Sequence, residues 1–203
     1  MDCTFEHRGK LNFLRTPALL GLSAFLLLGA TSCDRFGDRT KDVIDAISIQ
    51  SLSNGQVQLR NEESDVELTL PNGWVDVQNL RPDADLYAAR EDRTMYVMVL
   101  ADPKGADIGA LGLSDNATQY LSFLDRGLTQ EQAEVPTSMT ALNGMNALQY
   151  EVQGRVDNQP VMYLHTTVEG ETNYYQVVAW TTVANYGAAK DELQTVIQSF
   201  RGT

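Results

Sequence analysis

Cysteine and histidine are nearly missing from this 203-residue chain, which holds two of each. So few cysteines exclude a disulfide-dense scaffold, and so few cysteines and histidines together argue against a catalytic zinc with several such ligands. Positive charge is short as well: 15 Lys and Arg stand against 27 Asp and Glu, a formal charge of −12. A polyanion repels phosphate, which excludes nonspecific nucleic-acid binding, and it offers no polybasic patch for anionic lipid. The most apolar stretch, TPALLGLSAFLLLGA at residues 16–30, falls short of the ~20 residues that cross a bilayer. Neither a glycine-rich phosphate cradle nor a G-x-S-x-G nucleophile elbow occurs.

What the chain does have begins at its N-terminus. His7, Arg8, Lys10 and Arg15 precede the apolar stretch, and small residues follow it, the composition of a secretory leader over residues 1–32. A short transmembrane anchor is the alternative. GATSC, ending at Cys33, resembles the lipobox of bacterial lipoproteins, with Ala30 where that motif usually has Leu. The resemblance implies cleavage between Ser32 and Cys33 and acylation of the Cys33 sulfur. One acyl chain binds a bilayer marginally, whereas two or three hold at ~0.8 kcal/mol per buried methylene. The expectation is a protein lipid-anchored to the cell membrane and facing the periplasm or exterior. Asp34, directly after the cysteine, resembles the retention signal of inner-membrane lipoproteins. Cleavage removes Cys3, so the mature chain must stand on its core without a disulfide.

Residues 33–55 read as the acylated cysteine and a polar tether, and residues 56–203 as one domain. Asp34, Asp38, Asp42 and Asp45 in the tether are interrupted by basic residues and lack the oxygen spacing of a calcium loop. From Val57 the apolar period is two. VQLRN and VELTL flank EESD as a hairpin, and Val66, Leu68 and Leu70 share a face. LYAAR and MYVMVLA form a second pair, the latter apolar on both faces and therefore central. Ala117, Tyr120, Leu121, Leu124 and Leu128 form one helical stripe, with Ser114 or Asp115 as its cap. SMTAL, NALQYEVQGRV, VMYLHTTVE and NYYQVVAW follow as strands joined by tight turns. A closing helix presents Tyr186, Ala189, Leu193, Val196, Ile197 and Phe200. The order predicts an α+β fold, an antiparallel β-sheet flanked by helices.

The succession LTLPNGW, PDADLYAA, YVMVL, amphipathic helix, ALNGMNALQYEVQG, YLHTTVE, YYQVVAWT and ELQTVIQSF resembles the PsbP-like superfamily over residues 57–201. That superfamily includes the photosystem II extrinsic protein and DcrB-type envelope lipoproteins. The resemblance implies a sheet sandwiched by helices and a non-enzymatic binding or assembly role, with a membrane-protein partner. It carries no catalytic residue, metal or cofactor. A small-ligand carrier and an envelope hydrolase are the rival classes.

The residues themselves point the same way. Once the leader is cut, His165 is the one histidine left, and in VMYLHTTV it reads as a half-buried, hydrogen-bonded strand residue. The acids gather in turns: Glu62, Glu63 and Asp65; Asp83 and Asp85; Glu91 and Asp92; Glu169 and Glu171, where solvation accounts for them. Trp74, Tyr87, Tyr96, Tyr150, Tyr163, Tyr174, Tyr175 and Trp180 lie in or beside strands and read mainly as core. Trp74, in the turn after Pro71, is the first candidate for a ligand or partner surface.

Overall fold

A computed structural model describes residues 46–105, 112–128 and 133–203; Ser32, Cys33, Asp34 and the expected leader lie outside them. Three strands, β1 (Ile47–Ser51), β2 (Val57–Asn61) and β3 (Val66–Leu70), form a small antiparallel sheet in that order. The hairpin expected around EESD is present. Asn61 Oδ1 closes it by accepting from the backbone N–H of Glu63 at 2.9 Å, and Val66, Leu68 and Leu70 are buried. Ile47–Ser51, counted in the sequence with the tether, is instead a strand pairing with β2. Its alternation is weak because four of its five residues are exposed on the sheet edge.

The larger sheet has eight strands in the order β4-β5-β6-β11-β10-β9-β7, with β8 beside β9. These are β4 (Trp74–Asp76), β5 (Leu86–Arg90), β6 (Met95–Pro103), β7 (Ala133–Pro136), β8 (Ala141–Leu142), β9 (Met145–Val156), β10 (Gln159–Glu169) and β11 (Asn173–Thr182). Strands β9 to β11 are the three longest and run consecutively. Asp157 and Asn158 take the left-handed conformation (φ 47° and 69°) that a two-residue hairpin turn demands. β6 is buried on both faces, Val97 and Val99 on one and Met98 on the other, as its two-sided apolar pattern requires.

Helix α1 (Leu113–Gly127) covers one face and α2 (Val183–Gln198) the other. The α1 stripe of Leu121, Leu124 and Leu128 packs on Val152, Val161, Tyr163 and Val178. Gly112 stands at the N-cap without a side-chain bond, so Ser114 and Asp115 lie inside the first turn rather than capping it. Leu193, Val196 and Ile197 of α2, with Phe200 just beyond it, are wholly buried. Each such side chain contributes about 1.5–3 kcal/mol by leaving water. The small sheet shares this face, adding Leu59, Leu68 and Leu70 to the same core. A reciprocal backbone pair between Glu67 and Arg201, 2.9 Å in each direction, ties β3 to the chain beyond α2. The expected α+β architecture is therefore present, with one sheet more than the sequence foretold.

Candidate functional site

Trp74 is not a surface residue. It opens β4, is 1% exposed, and packs among Leu70, Leu86 and Leu193. Its indole N–H donates to Oε1 of Glu192 at 2.8 Å, and Oε2 of the same carboxylate takes Arg90 at 2.7 Å. These side chains fill the space between the sheet and α2 around Trp74. A proline and a turn before a tryptophan mark a chain entering the core as readily as one crossing the surface.

His165 is fully rather than half buried. Gln176 Nε2 donates to Asn116 Oδ1 of α1 at 2.8 Å, so its Oε1 faces inward. That oxygen accepts from Thr167 Oγ1 and sits 2.8 Å from His165 Nε2, which must therefore carry the ring proton. Nδ1 has no hydrogen-bond partner among the described residues. Burial holds the imidazole down at about 4, so it stays neutral at ordinary pH. Tyr120 stacks near this ring and its hydroxyl donates to Asp102; burial and that neighbouring carboxylate push the phenol well up. The network fixes α1 on the sheet. Enclosed on every side, His165 cannot reach a substrate.

Asp85, expected to be solvated, instead accepts the Ala101 backbone N–H at 2.7 Å and so braces β5 against β6.

An aromatic strip, part buried and part open, comes from register. Ala89, Tyr96, Trp180, Tyr163 and Val152 are direct partners across β5, β6, β11, β10 and β9. Tyr96 stacks on Trp180 at 5.2 Å, Tyr87 joins at 5.9 Å, and Tyr163 closes the row at 5.9 Å. Tyr163 and Tyr87 are buried, whereas Tyr96, Trp180 and Phe123 of α1 are partly open. Burial, with Tyr96 alongside, pushes the Tyr87 phenol up to about 12, so the strip is uncharged at neutral pH. Arg126 lays its guanidinium over Phe123 at 4.6 Å. The tight turn at Gly170 alone set Tyr163 opposite Trp180, but Tyr96 joins them by long-range pairing that no local pattern reveals.

On the opposite face an open cleft of about 350 Å³ lies beside α2. Gln149 and Gln194 form its floor, bonded to each other in both directions, and Lys190 pairs with Glu151 at 2.7 Å on its rim.

The family model described as PsbP matches residues 55–202. Cyanobacterial PsbP (CyanoP) from Synechocystis sp. PCC 6803 is similar in structure, with a TM-score of 0.51 at 15% identity over 74% of this chain and 94% of that one. Mog1p, the Ran-binding protein of Saccharomyces cerevisiae, gives a TM-score of 0.50 at 14% identity over 74% of this chain and 96% of its own. No curated protein matches the chain in sequence.

Proposed function

Because this chain belongs to the PsbP family, we propose that it is a non-enzymatic binding or assembly module of the bacterial cell envelope, held at the membrane by acyl chains on Cys33 and serving a membrane-protein complex. The observation that carries the binding role is the partly open strip of Tyr96, Trp180 and Phe123 beside α1. Trp and Tyr concentrate at protein recognition sites because they bury much area while losing little side-chain freedom. Mog1p, a chain of similar fold, is a Ran-binding protein, so the scaffold is compatible with protein recognition. The anchor rests on the small residues before Cys33 and the short apolar leader.

The test is a photo-crosslinking amino acid placed at Tyr96 in intact cells. One reproducible membrane protein should be captured there, and none from the same probe at exposed Ile49 on β1. Equal capture from both positions, or none from either, would overturn the reading. A second reading, a carrier of small polar ligands, draws on the cleft at Gln149 and Gln194. Native mass spectrometry of the detergent-extracted protein would then show a retained small molecule.

A further inference from the structure

Resting on the binding role just proposed, we infer that the strip recognises an acidic segment of its partner, an apolar or aromatic residue flanked by carboxylates. The observation is where this acidic chain leaves its cations uncommitted. Arg60, Arg81, Arg90, Lys104 and Lys190 each hold a carboxylate of this chain within 3.3 Å. Arg155 and Arg201 bond the backbone carbonyls of Asn158 and Phe200, whereas Arg93 and Arg126, which hold no carboxylate among the described residues, both flank the aromatic strip. Arg93 projects from the β5–β6 turn at a φ of 59°, exposed beside Tyr96. Arg126 is exposed on the last turn of α1, fixed by its own Ser122 carbonyl at 3.0 Å and by the Phe123 ring. Asp92, the acid nearest Arg93 along the turn, is already engaged by Arg90 and Thr94.

Two planar guanidinium groups beside stacked rings suit carboxylates that arrive with an apolar residue between them. Arginine binds such groups with two parallel N–H bonds, and stacked rings take the apolar residue. A lipid surface offers aromatic and basic contacts too. At −12 overall, however, the chain is repelled by anionic headgroups spread over an area wider than a Debye length, whereas a single short segment meets only the charges beside the strip, Arg93 and Arg126 with the turn acids Glu91 and Asp92.

The experiment uses the full acylated chain in phosphatidylcholine nanodiscs and a dye-labelled heptapeptide, one Phe between two runs of acidic residues, followed by anisotropy. The acidic peptide should bind and its lysine counterpart should not. Combined Arg93→Glu and Arg126→Glu should weaken binding roughly tenfold or more, and added salt should weaken it in parallel. Equal binding of both peptides, or acidic-peptide binding indifferent to the charge reversal, would overturn the inference, as would preferential binding of phosphatidylglycerol vesicles. Each of those results leaves crosslinking from Tyr96 free to succeed, so this inference can fail while the binding role stands. Thermal unfolding of the double variant, unchanged for two exposed side chains, separates lost recognition from lost fold.

Discussion

Trp74 and Glu192 meet at 2.8 Å across 118 residues of sequence, an indole N–H from the first strand of the large sheet held by a carboxylate on the last helix. Replacing Glu192 with Leu leaves that N–H buried and unsatisfied and leaves Arg90 with Asp92 alone. The expected loss is about 1–3 kcal/mol in urea unfolding. Glu192→Gln keeps an acceptor for the indole and should lose less. In a Trp74→Phe background the Glu192→Leu penalty should shrink, since the donor has gone; an undiminished penalty would show that the bond contributes nothing.

Acid should weaken the fold through His165. Above 6.5, the ordinary value, the imidazole is neutral in both folded and unfolded chains and adds no pH dependence. As pH falls from 6.5 to about 4, the unfolded chain takes up a proton that the buried ring refuses, so stability drops. The full loss is on the order of 3 kcal/mol. Urea midpoints at pH 7 and pH 4, compared between wild type and His165→Gln, isolate this contribution from the carboxylates. Parallel pH curves would show that the ring is not held neutral.

Gly170 turns the chain between β10 and β11 against the end of the polypeptide. A methyl group there would fall 2.5 Å from Cε2 of Tyr175 and inside contact distance of the Thr203 carbonyl oxygen. Tyr175 donates its hydroxyl to that same oxygen at 2.7 Å. Gly170→Ala should therefore destabilise by about 1–3 kcal/mol through overpacking. In a Tyr175→Leu background, itself destabilised by the lost packing, the added Gly170→Ala penalty in thermal unfolding should be smaller, because one of the two clashing neighbours has gone.

Cys33→Ser removes the acyl acceptor in the proposed anchor. The variant should move from the membrane fraction to the soluble or uncleaved-precursor fraction, and intact-mass analysis of the wild type should show the leader gone and acyl chains present. Wild-type protein with a bare sulfur would remove the anchor from the account.

The sequence disclosed what short-range periodicity controls. The stripes of α1 and α2, the alternation of Val66, Leu68 and Leu70, and the turns at Asn143-Gly144 and Asp157 all follow from neighbours a few residues apart. The β2–β3 hairpin was legible, but its standing as a separate sheet was hidden, because β1 emerges from a polar stretch and the tie from Glu67 to Arg201 is long-range. Trp74 was misplaced for the same reason: the group that satisfies it sits on α2. The binding strip was half legible. Hairpin register sets Tyr163 opposite Trp180, but Tyr96 arrives through the pairing of β6 with β11, and Arg126 through the docking of α1.

The position of β6 also bears on how the polypeptide acquires its shape. Met95 pairs with Thr181, so β6, joined to β5 on one edge, waits for the mate of its other edge until much later in the chain. The C-terminal meander can zip locally, while joining it to the earlier half closes a long loop whose entropy must be met first. A nascent chain therefore carries one edge of β6, the one that β5 does not hold, unpaired until β11 has been made, an open template for mispairing over that interval.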